Sequence, residues 1–527
     1  MALPTLTPLL ALLLAWLDFD LATWVHLWET LLPEMLMSTA GLVVGVSIVT
    51  LALGISLGWL TARYIFPAVS ALRLALVLPL AIPSYVLGFV YVGLLDYAGP
   101  IQTTLRHLLG EAFEFEVRTL LGAIFVLSLA LYPYVYLFAQ AAFQEQSAAH
   151  QDAARAMGYG SWATFWRIAL PLARPSLAAG WALVMMETLT DFAVVRYFNV
   201  ITLSEGVVRL WVGQMDREAG VQVASLLMGI AFAVVAIERS LRRRARYTQL
   251  GSQTRPLART RLRGWRAWLA TGYASLVLVL AFGLPGSQLV IWAIEDVSSA
   301  APGTLEAVFG AYLLNTLLLA GSAALLVILV AIGLGWLVRA NDAPSPLLRT
   351  LARAAALGYA MPSAVVAIGV LLLLAPLNAP VAAWTGGAFL LSGSLISVLY
   401  GYLVRFLAIG MNGVESSLEK ISPAMEMAAR TLGAHTARVV MHVYLPLMRG
   451  GVLTAALLIC VDVLKELPLT MFLRPFGMET LSTWAYMLSS ESAWVGASTP
   501  ALVIVGLSLL PTMLLMRRAV LTEVQLR

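Results

Sequence analysis

Residues 152–158 read DAARAMG, and nine residues later 168–171 read IALP; residues 427–433 read MAARTLG, and after the same gap 443–446 read VYLP. Small residues let one face of a short helix approach a partner closely, a glycine permits a left-handed exit, and a Leu-Pro pair suits the start of the next helix. The pattern therefore predicts a short rigid helix between two longer ones. Its two occurrences favour a functional element over an ordinary amphipathic connector.

The sequence around both motifs is strongly apolar. The 527-residue chain is 60% hydrophobic and only 12% charged, and its mean hydropathy is +0.87, which lies far outside the norm for soluble domains. Apolar stretches of about 20 residues, enough to cross about 30 Å of hydrocarbon as helices, recur along the chain. We predict an all-α integral membrane protein with about twelve transmembrane helices, the first being the short run 9–17.

The two halves are internal repeats, offset by about 275 residues. Gly58-Trp59-Leu60 matches Gly335-Trp336-Leu337, and Pro83-Ser84 matches Pro362-Ser363. We predict two parallel six-helix repeats around a shared pathway. The expected division is an N-terminal span with an external segment (1–37), a first repeat domain (38–238), a basic linker (239–268), a seventh span with an external segment (269–311), a second repeat domain (312–517) and a tail (518–527).

Basic residues fix the expected orientation. With the arginine-rich linker in the cytoplasm, most basic residues lie on the inner side, as the positive-inside rule requires. The N-terminus, the linker and the C-terminus are then cytoplasmic. The positive net charge of +5 reports this topology and contact with the lipid bilayer, and no nucleic-acid partner is predicted.

Three enzyme-like patterns do not predict an enzyme. The chain's lysines, Lys420 and Lys465, follow no Gly-Lys-Ser or Gly-Lys-Thr pattern, so a P-loop is absent from the sequence. The G-x-S-x-G pattern at 54–58 lies in an apolar helix, where small residues favour packing. The histidines lack metal-ligand spacing. We expect no bound cofactor and no stable metal site.

The paired motifs resemble the signature of the permease family of binding-protein-dependent ATP-binding-cassette importers, which reads EAA, three residues, G, nine residues, I-x-L-P. The resemblance covers nearly the whole chain, although Asp152 replaces the glutamate and Met427 occupies its place in the second copy. It implies the type I ABC importer permease fold, a bacterial inner-membrane location, two copies of an ATPase subunit that use the ATP, and an external solute-binding protein. The residues it assigns to ATPase coupling are Asp152, Ala153, Ala154, Gly158, Ile168, Leu170, Pro171, Glu426, Ala428, Ala429, Gly433, Val443, Leu445 and Pro446.

Ionisable residues near span ends are candidates for the solute pathway. Glu187 corresponds to Asp462 across the repeat, and Asp191 corresponds to Glu466. Lys465 directly precedes Glu466 in the second repeat. Four carboxylates along a pathway would favour transient contact with a hard cation such as ferric iron. The alternative, left open here, is that Asp462–Lys465 or Asp191–Arg196 are ion pairs that only position helices.

The stretches 94–102 and 191–198, together with 465–468 followed by 473–476, look most like those of bacterial ferric-iron importers. Ferric iron is therefore the expected cargo. Thiamine, phosphonate and polyamine are the alternatives within the same class, because the thiamine permease is also fused. A secondary transporter driven by an ion gradient is a more distant alternative, and a membrane enzyme or scaffold is more distant still.

Overall fold

A computed structural model describes residues 2–14, 16, 21–146, 156–243, 259–299, 304–340, 356–387, 390–419 and 421–525. Within these ranges the chain is almost wholly helical, and the predicted all-α membrane fold is confirmed. The motif residues Asp152, Ala153 and Ala154 lie outside the described residues, as do residues 244–258 of the predicted linker.

The helices fall into two runs along the chain. Those before the linker are α1 (Ala2–Leu14), α2 (Leu21–Thr30), α3 (Leu32–Arg63), α4 (Val69–Ala75), α5 (Ser84–Leu95), α6 (Pro100–Leu109), α7 (Leu120–Gln144), α8 (Ser161–Thr164), α9 (Leu170–Thr190), α10 (Ala193–Tyr197), α11 (Leu203–Val208) and α12 (Arg217–Arg243). Those after it are α13 (Trp265–Leu278), α14 (Leu284–Ser299), α15 (Thr304–Ala340), α16 (Ser363–Leu374), α17 (Asn378–Thr385), α18 (Leu395–Leu418), α19 (Pro423–Thr431), α20 (Thr436–Val439), α21 (Leu445–Leu464), α22 (Pro468–Leu473), α23 (Leu481–Ser490) and α24 (Trp494–Gln525).

Eleven helical segments within the described ranges are long and apolar enough to cross a membrane. They are Leu32–Arg63, Ser84–Leu109, Leu120–Gln144, Ser161–Thr190, Arg217–Leu241, Trp265–Ser299, Phe309–Leu337, Ser363–Thr385, Leu395–Leu418, Val440–Leu464 and Trp494–Met513. The expected count of about twelve included the N-terminal run. Helix α1 has 13 residues and is thus about 20 Å long, shorter than the hydrocarbon layer.

The chain forms two compact units. The N-terminal unit comprises Ala22–Asp296 and Leu488–Val505, and the C-terminal unit comprises Met1–Leu21, Val297–Met487 and Gly506–Arg527. In the N-terminal unit α7 packs along α3 and α9. In the C-terminal unit α18 packs against α15 and α21, while α1 packs on α16.

Glycines set the close approach of α3 to α7. A Cβ on Gly54 would lie 2.5 Å from the Cβ of Val135, and one on Gly58 would lie 2.7 Å from the Cβ of Ala139. Ser56, between them, donates to the carbonyl of Ala52 at 2.6 Å within the same helix. The G-x-S-x-G pattern is therefore a helix-packing element, as its apolar context predicted.

The Leu-Pro pairs lie inside continuous helices. The π-helical turns Phe165–Ala169, Val279–Gly283 and Val440–Tyr444 each run directly into a Leu-Pro pair. Proline lacks an N–H and collides with the carbonyl four residues earlier, and a wider turn with bonds to the fifth residue relieves that collision. The pair was expected to begin a new helix; it marks instead a π-to-α transition within one membrane span.

The end of the basic linker is attached to the end of α3. Strand β1 (Tyr64–Ile65) pairs in parallel with β2 (Thr260–Arg261), with Tyr64 opposite Thr260. Thr271 on α13 donates to the carbonyl of Pro67 at 3.0 Å. Within the N-terminal unit, the linker therefore returns at the C-terminal end of α3.

Replacing Gly54 by Ala should destabilise the protein, because the new methyl group would collide with Val135 and with the backbone nitrogen of Tyr136. We expect a loss of about 1–3 kcal/mol from overpacking, measured by thermal denaturation of the purified protein in detergent. Gly229→Ala is the matched control, since a Cβ there meets nothing within 4 Å. Equal denaturation midpoints for the two variants would contradict this packing interpretation.

Candidate functional site

The same polar network occurs once in each repeat. The hydroxyl of Thr39 accepts from the Leu203 N–H at 2.9 Å, and the hydroxyl of Thr316 accepts from the Leu481 N–H at 2.9 Å. Each bond ties the long helix that opens a repeat, α3 or α15, to a short helix late in the same repeat, α11 or α23. The internal repeat found in the sequence is thus also a repeat of buried hydrogen bonds.

Asp191 and Glu466 are the anchors of these networks. The Asp191 carboxylate accepts from the Val194 N–H at 2.8 Å, and the Glu466 carboxylate accepts from the Leu469 N–H at 3.2 Å. Each carboxylate thereby caps a short helix, α10 or α22, where negative charge is favourable.

The backbone carbonyls of Asp191 and Glu466 also have equivalent hydrogen-bond donors in the two repeats. The Asp191 carbonyl accepts from Ser204 at 2.7 Å, and the Glu466 carbonyl accepts from Ser482 at 2.9 Å. Through these hydrogen bonds, Asp191 and Glu466 each stabilise the turn that follows the end of a long helix.

The two buried carboxylates have different side-chain partners in the two repeats. Asp191 accepts a short hydrogen bond from the hydroxyl of Ser84. Glu466 faces Arg405, whose Nε lies 3.6 Å from Oε2 and whose Nη1 donates to the Met361 carbonyl at 2.7 Å. In the first repeat the residue that corresponds to Arg405 is Ala130. Among the described residues, Glu466 therefore has a charged partner and Asp191 has none.

The remaining pathway candidates are more exposed. Asp462 forms an ion pair with Lys465 at 2.9 Å, with each side chain nearly a quarter exposed, and Glu187 is half-buried in the last turn of α9. Arg196 is exposed and forms no ion pair with Asp191 among the described residues. Across the described ranges, no three His, Cys, Asp or Glu side chains are placed to hold a metal ion together.

The second of the paired sequence motifs, residues 427–433, begins on helix α19, which ends in a Schellman motif. Gly433 has φ +82°; its N–H bonds to the Arg430 carbonyl at 3.0 Å, and the Ala434 N–H bonds to the Ala429 carbonyl at 3.1 Å. Gly158 in the first motif has φ +77°. A Cβ at either glycine would meet nothing within 4 Å, so backbone conformation alone requires glycine there.

Glu426 braces α19 against the following span. Its Oε1 accepts from Arg430 at 2.8 Å, and its Oε2 accepts a short bond from the hydroxyl of Tyr444 on the π-helical turn. Three large apolar side chains are exposed on this segment: Met425, Met427 and Leu432 are 49%, 59% and 88% exposed. Of the other motif residues, Ala428, Leu445 and Pro446 are exposed, and Ala429, Val443, Ile168, Leu170 and Pro171 are half-buried.

Ser84, Arg405 and Tyr444 are site residues that the sequence did not single out. Arg405 could have been found, since a charge in the middle of an apolar span is a functional candidate by the rule already used for the carboxylates. Ser84 and Tyr444 carry no such signal, because a serine at a helix start and a tyrosine in a span are ordinary.

Replacing Arg405 by Met should be far more damaging than replacing Ser84 by Ala. The first leaves a buried carboxylate without its counter-charge, a loss of about 3–5 kcal/mol; the second removes one hydrogen bond, a loss of about 1–3 kcal/mol. Thermal denaturation in detergent measures both. Adding Glu466→Gln to Arg405→Met should recover part of the loss, and no recovery would contradict the pairing.

Several known proteins are similar to this chain. Over 519 residues it is 24% identical to the Fe(3+)-transport system permease protein FbpB 2 of Haemophilus influenzae, covering 98% of this chain and 96% of that protein. It is 28% identical over 171 residues to the molybdenum transport system permease protein ModB of Escherichia coli, covering 32% of this chain and 71% of that protein. A bacterial ABC transporter that imports alginate matches with a TM-score of 0.38 and 15% identity, over 46% of this chain and 90% of that one.

The family match lies on the first repeat. Residues 54–247, which include α7, α9 and the first coupling motif, match the family described as binding-protein-dependent transport system inner membrane component. The second repeat carries the same motif and the same buried polar network. Residues 54–247 are therefore similar to the binding-protein-dependent transport system inner membrane components, and the similarity to the Fe(3+)-transport permease extends over both repeats.

Proposed function

We propose that this chain is the membrane subunit of an ATP-driven importer and that its cargo is ferric iron. The extent of the sequence alignment supports ferric iron as the transported solute. The Fe(3+) permease aligns over 98% of this chain, whereas the molybdenum permease aligns over 32%. The match of the first repeat to a transport-system family and the similarity of the whole chain to a transport permease support the transport class. An external solute-binding protein would deliver the iron.

Two copies of a separate ATPase subunit would dock on the coupling helices. Met425, Met427 and Leu432 offer an exposed apolar surface on and just after α19, and the Glu426–Tyr444 bond fixes that surface to the membrane span. Helix α21 then runs about 30 Å from this end to Glu466. A displacement at α19 would therefore reach the buried cap at the far end of the helix, which is the coupling that alternating access needs.

The carboxylates have two different roles in this proposal. Asp191 and Glu466 are buried and used as helix caps, so they position the pathway. Glu187 and Asp462 are more exposed and are the residues that would contact a passing hard cation. The linker and both termini would face the cytoplasm of a bacterial cell, following the distribution of basic residues.

Deleting the gene for this chain should abolish uptake of radiolabelled ferric iron under iron limitation, and restoring it should restore uptake. Molybdate, sulfate, thiamine, phosphonate and a polyamine are the comparison solutes in the same cells. Loss of uptake of one of these solutes, with ferric-iron uptake intact, would identify that solute as the cargo instead.

The double variant Glu187→Gln, Asp462→Asn should lower iron uptake without lowering the amount of protein in the membrane. Unchanged iron uptake would reject the cation-contact role of these two residues.

Replacing Leu432 by Asp should weaken association with the ATPase subunit. Loss of one buried leucine contact costs about 2 kcal/mol, or about thirtyfold in affinity, and co-purification of the ATPase in detergent measures it. Trp384→Asp is the matched control, since Trp384 is 89% exposed and lies on the predicted external side. Equal co-purification by both variants would argue against docking at α19.

A further inference from the structure

A cavity of about 500 Å³ lies within the N-terminal unit, away from the coupling motifs. Three guanidinium groups line it, from Arg118 before α7, Arg196 on α10 and Arg209 after α11, against one carboxylate, Glu205. Its size is typical of a small-molecule site. Asp96 and Glu205 pair with two of these arginines, so one positive charge at the cavity has no counter-charge among the described residues, and an anion would supply it.

The arginines keep donors available. Arg118 uses one Nη to pair with Asp96 at 2.6 Å, and Arg209 uses its Nε to pair with Glu205 at 3.1 Å. The exposed Arg196 side chain has no ion-pair partner among the residues that the structure describes. Counting the described residues, two guanidinium groups with unused N–H groups and one without an ion-pair partner therefore face the same space, a geometry suited to oxyanions.

The second repeat provides an internal comparison. At the positions corresponding to Arg118, Arg196 and Arg209 it has Gly393, Met471 and Met487, although its Thr, Ser and carboxylate network is the same. The repeated fold is therefore built without these arginines. Backbone strain also concentrates here, since Asn199 (φ +53°) and Ser492 (φ +61°) both line the cavity, and such conformations cluster at functional sites.

Glu205 narrows the chemistry of the ligand. It is 3% exposed, its Oε1 pairs with Arg209, and its Oε2 is buried with no hydrogen-bond partner among the described residues. A buried acceptor needs a donor. We propose that this cavity binds a small protonated oxyanion, a hydrogen phosphate or a hydroxycarboxylate, whose anionic oxygens meet the arginines while its hydroxyl donates to Glu205.

The cavity lies near the N-terminal end of α3. A Cβ on Gly206 would lie 2.6 Å from Met35, and Thr39 bonds Leu203, whereas the linker returns at the opposite end of this helix, beside Tyr64. In the orientation proposed above, the site therefore faces the outside. A phosphodiester lipid headgroup offers no hydroxyl on phosphorus, so a free solute fits Glu205 better.

Isothermal titration of the purified full-length chain in maltoside detergent and phosphate-free buffer tests the proposal, with sodium phosphate, citrate and sodium sulfate as probes at matched ionic strength and neutral pH. Phosphate should bind at least about tenfold more tightly than sulfate, which carries no proton for Glu205. Citrate has a hydroxyl and should bind as well. Arg196→Met should weaken phosphate binding by about tenfold or more. Arg217→Met, at an exposed arginine outside the cavity, should leave it unchanged.

Equal affinities for phosphate and sulfate would contradict the role of Glu205. Equal losses of phosphate affinity in Arg196→Met and Arg217→Met would show that only diffuse surface charge attracts the anion, and would contradict the site. If neither phosphate nor citrate binds but Arg196→Met weakens association with the solute-binding protein, the cavity receives an acidic side chain and the small-anion proposal is wrong. Glu205→Gln should raise sulfate binding relative to phosphate, because an amide can donate. The titration needs neither the ATPase nor transport, so its failure is separate from failure of the proposed function.

Discussion

Hydrocarbon offers no water to the backbone groups at a broken helix, so a membrane protein must supply partners for every helix break from its own side chains. Here a buried carboxylate does this once in each repeat. Asp191 caps α10 and Glu466 caps α22, and a serine bonds each anchor's own carbonyl. The long helices α9 and α21 end at these caps. The positions of the short helices that follow them, α10 and α22, therefore each depend on one buried carboxylate.

The internal repeat separates what the fold needs from what one half adds. Both halves keep the caps and the Thr39 and Thr316 bonds. The second half adds the positive charge of Arg405 beside its carboxylate, and the first half adds the three arginines around the cavity of the N-terminal unit. A feature found in one copy alone is not required by the repeated scaffold, so these additions point to tasks that differ between the halves.

Helix α19 is held to the span that follows it by a side-chain hydrogen bond. The Schellman motif at Gly433 ends α19 sharply, and Glu426 then bonds Tyr444 in the π-helical turn forced by Pro446. In the first repeat Ala169 occupies the place of Tyr444, so no hydroxyl can form the same brace. A tyrosine hydroxyl is therefore present at this position in the second repeat and not in the first, although both motifs end in a glycine with positive φ.

Periodicity, hydropathy and spacing act locally along the chain, and they determined the helical class, the repeat, the paired sequence motifs and the helix-packing role of Gly54 and Gly58. They also found Asp191 and Glu466, but as pathway residues, because sequence shows an ionisable group near a span end without showing its partner. Only tertiary packing brings Ser84 to Asp191, Arg405 to Glu466 and Arg118 to Arg196. These partners lie far apart in sequence, so no local pattern predicts them, and whether a buried charge acts as a cap or faces a cavity is decided by which side chains the fold places around it.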